Sequence, residues 1–360
     1  MGLWAKLSTF FHEREEVTAV ANLAMPKESE SAQEKRLLLK CEQNGLPDFS
    51  HVEAEHLYLC AWLEIDSAKE LQPSIPTPLK LKLLDEAYRQ AAVPRLPAVL
   101  PKLMRALRDP EVTARDCIEL IRQDAALLAS VLQIANSSFY RPGGGEALDI
   151  EQAVVSLGIE GLRRVVCAAL VKPIAKRADT HSEHKGGDIW QYSLRTALAA
   201  EALAHVHGVD SFVAYLLGLC QGLGYTTLYN EFLKHWRENN RVPDNRAIAE
   251  ACLVFGNELS AEIVSDWPMP DELGKQLMAF AEFSKAVHEE KAAERSGTYA
   301  GTCASTYVGT YVTLLQQAVY ISRLYSLEQQ GLLPENLWEQ LCEGGHLPLG
   351  LLGQLSESSF

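Results

Sequence analysis

Nearly every periodic stretch of this chain repeats its apolar positions at helical spacing. From Asp116 to Leu132 they recur at 117/118, 120/121, 127/128 and 131/132, with Ala125 and Ala126 filling the turn between; this is one face of a 3.6-residue period. Ile248, Cys252, Phe255, Leu259 and Ile263 repeat the spacing further on. Strand alternation is scarce. The β-leaning segment Thr298 to Thr313, rich in Thr, Tyr and Gly, reads as a loop in its first half, and Val312 to Leu327 reads as a helix. The pattern predicts an all-α, multi-helical protein.

Prolines mark the breaks. Gln72 to Pro78 carries three and Val93 to Pro97 two more, with a short helix expected from Leu79 to Ala92 between them. Upstream, a charge-rich helix is expected over Lys27 to Lys40 and a more apolar one over His51 to Ile65. Residues 1–90 therefore read as a small helical module, residues 91–288 as one run of helices with short turns, and residues 289–360 as a C-terminal helical extension containing the Thr/Tyr/Gly loop. Near the start, Leu3, Trp4, Leu7, Phe10 and Phe11 share one helical face. Glu13, Glu15 and Glu16 disfavour an anionic membrane as its partner, so packing or protein contact is expected.

Composition narrows the function classes. Of 360 residues, 33 are basic and 47 acidic, a formal charge of −14, which opposes long-range attraction to nucleic acid or anionic lipid. A 47% hydrophobic content is ample for a sizeable core. No window approaches the roughly 20 apolar residues of a membrane span. The N-terminus lacks a secretory block, and Lys6 occupies the place where myristoylation expects Ser or Thr. These readings place the protein in the cytoplasm. The eight cysteines are scattered, with no CxxC pair, so free thiols are expected and not a zinc site.

The most informative segment runs from Ile121 to Arg163. Asp124 can accept backbone N–H groups at a helix start, Asn136 and Ser137 can close a helix end, and Gly158 can supply a positive φ between two helices. The order of Asp124, a Leu-rich helix, Ala135-Asn136-Ser137 with Tyr140, and Ile150 to Ala153 leading to Leu157-Gly158 resembles the HDOD domain. That family is an all-helical bacterial signalling module related to the HD phosphohydrolases. The resemblance extends from about Leu96 to Phe283, so residues 91–288 are expected to form an HDOD/HD-like bundle with helical extensions on both sides. Ala125 stands where the family usually has Pro, and the Gly143–Gly145 insertion is longer than usual.

An HD phosphohydrolase holds a divalent metal with converging His and Asp ligands. This chain has no His-Asp dipeptide. The segment resembling the family's G-L-L-H-D-I-G-K is Gly218-Leu219-Cys220-Gln221-Gly222-Leu223-Gly224-Tyr225, which puts Gln221 and Gly222 at the His and Asp places. Trp190-Gln-Tyr192-Ser193 resembles the family's W-x-H-S, with Tyr192 at its His. An amide, a glycine and a phenol do not make a hard-metal site near neutral pH. The resemblance therefore implies no catalytic residue, no metal and no cofactor. Trp190, Tyr192, Gln221, Gly222 and Tyr225 border the degenerate cleft and are the candidate ligand-binding set, with a filled core as the plainer reading.

Other constellations carry less. His181 and His184, followed by Asp188, have a metal-like spacing, but Gly186 and Gly187 suggest a solvated loop; a displaced metal site there is the enzymatic alternative. His205 and His207 fall near a helix end, where they would complement the dipole. Leu157-Gly158-Ile159 resembles the turn of a helix-turn-helix, yet Gly161 to Val171 is too apolar to read bases, so no DNA partner is expected. The expectation is a non-catalytic signal-transduction module with unidentified protein partners. Its small-molecule alternative stacks a nucleotide base on Trp190, Tyr192 and Tyr225, with Gln221 reading its edge.

Overall fold

The computed structural model describes residues 51–65, 75–93, 102–103, 106, 112–136, 149–175, 183–240, 244–267, 269, 271–296 and 309–332. Every regular element among them is a helix. In chain order these are α1 (His51–Trp62), α2 (Thr77–Leu84), α3 (Glu86–Ala92), α4 (Ala114–Arg122), α5 (Ala125–Ala135), α6 (Ile150–Ala175), α7 (Glu183–His207), α8 (Ser211–Cys220), α9 (Leu223–Glu238), α10 (Asn245–Ser265), α11 (Asp271–Ser296) and α12 (Thr310–Gln329). No described helix is long and apolar enough to cross a membrane. The expected helices over Lys27 to Lys40 and over the first residues lie outside the described residues, as does the loop before Gly309.

The chain divides into two compact units, one containing Pro97–Leu170 and the other Asp48–Leu96 with Val171–Leu332. The structure thus groups residues differently from the linear order: α1, α2 and α3 belong to one compact unit with helices more than a hundred residues downstream. Buried charge explains this for α1, as the site below makes clear. The division between the units falls at Leu96/Pro97, at the second proline-rich break, while the residues before it belong with the downstream helices.

In the first unit, caps set the helix ends. Thr113 and Asp116 form a capping box, with Thr113 N–H donating to Asp116 at 3.0 Å and Asp116 N–H to Thr113 at 3.3 Å. Asp124 separates α4 from α5 by accepting from Ala126 and Leu127 N–H at 2.9 and 3.0 Å, the role its position suggests. The Asn136 amide donates to the Leu132 carbonyl at 2.9 Å and closes α5. Ser137 and Tyr140 lie outside the described residues. Gly158 has φ 67° and ψ −179° inside α6, a conformation open to glycine alone, and it kinks the helix beside half-buried Leu157. After the kink, Leu162, Val165, Val166 and Cys167 are buried, so this helix is core and not a base reader.

In the second unit α7 packs on α8 and α12, α10 on α9 and α11, and α1 on α12. Ile248, Cys252, Phe255, Leu259 and Ile263 of α10 are all buried, as their spacing predicts. The expected single helix from Leu79 to Ala92 is two, because the Asp85 side chain accepts from Ala87 N–H at 3.0 Å and starts a new helix. Leu79 and Leu83 anchor α2, each worth about 2 kcal/mol of burial. No residue of α3 is buried. Polar contacts hold it: Arg89 grips Glu262 with two bonds of 2.6 and 2.7 Å, and Tyr88 donates to Glu231 at 2.5 Å. Contacts of this kind contribute roughly 0 to 1 kcal/mol each near a surface, so α2 carries the attachment.

Helices α9 and α10 approach so closely that a Cβ on Gly224 would lie 2.0 Å from the Gly256 carbonyl oxygen. Gly224→Ala is therefore expected to cost about 1–3 kcal/mol of stability by forcing these helices apart. Urea denaturation checks this; a change below about 0.5 kcal/mol would show that the contact is not as tight as described.

Candidate functional site

The five cleft candidates lie on α7, on the turn between α8 and α9, and on α9. All are buried, with Tyr192, Gln221 and Tyr225 at 0% exposure and Trp190 at 4%. Tyr192 and Tyr225 lie parallel with ring centroids 6.4 Å apart, and Tyr58 of α1 stacks on Tyr192 at 4.7 Å. Gln221 donates through its amide to Asn257 at 3.1 Å, and Asn257 donates to Ser284 at 3.1 Å. Of the five, Tyr192 and Tyr225 meet directly, while Gln221 bonds Asn257 and Gly222 faces Ser193. The arrangement is a packed core.

A test of metal fit follows from position 222. A Cβ there would lie 2.4 Å from the Ser193 hydroxyl and 3.5 Å from an Ile189 methyl, so the carboxylate an HD site requires would need the Ser193 side chain to move aside. Burial pushes the phenols of Tyr192, Tyr225 and Tyr58 above their ordinary value, which keeps them protonated and poor ligands at neutral pH. Among the described residues no three His, Cys, Asp or Glu side chains converge as a metal set. The residues present do not fit the family's divalent ion.

What the sequence reading missed lies beside these tyrosines. Glu55 of α1 and Arg323 of α12 form an ion pair at 2.7 Å with side chains 2% and 4% exposed. The Tyr225 hydroxyl donates to the same Glu55 oxygen at 2.6 Å, and Arg323 also donates to the Tyr225 oxygen at 3.1 Å. His288 of α11 stands with Nε2 3.3 Å from the other Glu55 oxygen, while its Nδ1 bonds the Ser284 carbonyl at 2.7 Å. Four helices thus meet on one carboxylate. Burial alone would raise the Glu55 pKa, but Arg323, His288 and the Tyr225 hydroxyl hold it down to about 2. Burial would likewise depress Arg323 and His288; Glu55 outweighs it and raises both.

A signal for these residues does exist in the sequence. Glu55 shares a helical stripe with Tyr58, Leu59 and Trp62, and Arg323 one with Val312, Leu315 and Val319, all buried. A charge on an apolar stripe requires a buried partner. The partner's identity is a matter of tertiary structure, 268 residues away.

The remaining candidates are placed differently from expectation. Gly186, Gly187 and Asp188 lie in α7, so the loop expected around them is helical from Glu183 onward. His181 and the side chain of His184 fall outside the described residues. His207 ends α7 but meets the Gln317 side chain of α12 at 2.9 Å, a specific partner where a dipole role was expected. Cys60, Cys117, Cys167, Cys220 and Cys252 are free and buried, and burial pushes the Cys220 thiol up to about 12. Such a thiol is not a nucleophile at neutral pH.

The protein-family comparison matches the HDOD domain to residues 93–282, just over half of the chain. The chain belongs to the HDOD domain family. A protein of Treponema pallidum (strain Nichols), described as uncharacterized, is 27% identical over 187 residues, which are 50% of this chain and 36% of that one. The match thus spans about a third of that relative's length. Among solved structures, a proposed phosphohydrolase of Shewanella amazonensis SB2B is similar over 77% of this chain and 94% of its own, at 21% identity and TM-score 0.49. An HDOD domain protein of unknown function from Geobacter sulfurreducens is similar over 78% and 98%, at 18% identity and TM-score 0.44. Glu55, His288 and Arg323 all lie outside the family-matched segment, whereas Tyr192, Gln221 and Tyr225 lie inside it.

Arg323→Met is expected to cost about 3–5 kcal/mol at neutral pH, because it leaves the Glu55 carboxylate buried beside fewer donors. The folded pKa of Glu55 is below its unfolded value, so the stability it contributes is present above about pH 4.5 and is lost as pH falls toward 2. Wild type should therefore lose stability over that window while the variant loses less, and the two denaturation midpoints should converge in acid. A penalty independent of pH would contradict the ion-pair account.

Proposed function

We propose that this chain is a non-catalytic, cytoplasmic module of bacterial signal transduction that works by contact with protein partners. The observation that carries the reading is the closed state of the former metal position: Gly222 against Ser193, with Tyr192 and Tyr225 at 0% exposure on either side of it in sequence. Metal hydrolysis needs ligands and a bound water open to substrate. Here the equivalent places hold an amide, a glycine and a protonated phenol.

The same burial argues against the nucleotide-sensing alternative. A base stacked on Tyr192 or Tyr225 needs an exposed ring face, and neither ring has one. Membership of the HDOD family supports the signalling role, and the −14 charge favours a protein partner over nucleic acid or anionic lipid.

Metal analysis of the full chain purified in the presence of Mn²⁺, paired with assays on cyclic dinucleotides and simple phosphodiesters, tests the proposal. Substoichiometric metal and no turnover are expected. One tightly held divalent ion per chain together with phosphoester hydrolysis would overturn it.

A further inference from the structure

Beside the Arg323 ion pair, the Glu55 network contains a contact that depends on a proton. His288 of α11 places Nδ1 2.7 Å from the Ser284 carbonyl oxygen and Nε2 3.3 Å from Glu55 Oε2. Both oxygens can only accept, because a carbonyl has no hydrogen and Glu55 is ionised. Arg323 and Tyr225 bond the other Glu55 oxygen, so among the described residues His288 is the group that faces Oε2.

A neutral imidazole carries one N–H and one lone pair. With the proton on Nδ1, the Nε2 lone pair faces a carboxylate; with the proton on Nε2, the Nδ1 lone pair meets a carbonyl oxygen at 2.7 Å. Either tautomer repels one neighbour, and only the imidazolium attracts both. Burial opposes that charge, but Glu55 outweighs it and raises the His288 pKa above 6.5. The other charged or titratable groups around the contact are Glu55 of α1, Arg323 of α12, the Tyr225 hydroxyl of α9 and the Cys252 thiol of α10. Glu55 and Arg323 stay ionised through neutral pH, and burial keeps Tyr225 and Cys252 protonated. On α11 itself Lys285 and Glu289 are exposed, and His56 of α1 meets the Cys60 Sγ at 3.8 Å.

We propose that His288 is a proton-operated latch: the imidazolium holds the end of α11 against α1, and deprotonation releases it. The ring has a way out, because it is 27% exposed and α1, α11 and α12 leave about 20 Å³ beside it, room for a single water. Glu55 keeps Arg323 in either state, so α1 stays packed on α12 and the change is confined to α11 from about Ser284 onward. Glu55 and His288 both lie outside the family-matched segment, so the latch is a device of the extensions. The proposal is independent of the non-catalytic reading, because the latch shares no residue with the Tyr192–Gln221–Gly222 positions.

The folded pKa of His288 lies above its unfolded value, so the latch is fully closed below about pH 6.5 and is lost as pH rises through the raised pKa. Local opening should increase by up to about tenfold per pH unit across that window and then level off. Hydrogen exchange of the full chain between about pH 6 and 9, corrected for intrinsic rates and with α9 as internal reference, tests it. Protection of α11 from Ser284 onward is expected to fall relative to α9 as pH rises. His288→Gln should give low protection at every pH, whereas His288→Lys, which keeps a positive charge, should stay protected throughout. In the wild type the His288 ring, followed by NMR, should titrate above pH 6.5. Protection of α11 that does not change with pH, an unaltered pH response in both variants, or a ring that titrates at or below 6.5 would overturn the proposal.

Discussion

The structure of the larger unit depends on a buried ion pair that has to be complete. Removing a carboxylate and a guanidinium from water costs several kcal/mol per ion, and the attraction between them offsets that only when the remaining hydrogen-bonding capacity is also met. At Glu55 it is met by Arg323, Tyr225 and His288, on three other helices. A partial assembly that buried Glu55 without Arg323 would bear the desolvation cost alone. The arrangement therefore favours α1, α9, α11 and α12 arriving together, and it ties residues outside the HDOD match to residues within it.

Much of the architecture was legible because it is locally encoded. Asp124, Asn136 and Gly158 act on backbone groups within four residues of themselves, and the apolar stripe of α10 needs only its own period. The errors were local competitions of the same kind. Asp85 captures the Ala87 N–H and breaks one expected helix into two, while Gly186 and Gly187, which read as a loop, are absorbed into the long α7. Glycine lowers helix stability by about 1 kcal/mol, and packing of the remainder of a 25-residue helix outweighs that.

The candidate site was legible only in part, for a physical reason. Tyr192, Gln221 and Gly222 could be placed by their resemblance to ligand positions, and all three are buried. What fills the space around them could not be read. Tyr58 and Glu55 come from α1 and Arg323 from α12, and nothing in either segment alone identifies the other. The glycine at 222 has the same character: its lack of a side chain reads as a lost ligand in sequence and as a close helix contact at Ser193 in space. Both descriptions apply to one residue.

The central claim is that α1 and α12 belong to one cooperative unit with the HDOD helices through the Glu55–Arg323 contact. Native-state hydrogen exchange of the full chain addresses it most directly, because it measures the opening free energy of each helix separately. The account predicts that the slowest amides of α1 and α12 exchange with the same opening free energy as those of α9. Exchange of α1 or α12 through a distinctly lower-energy opening, while α9 stays protected, would contradict it.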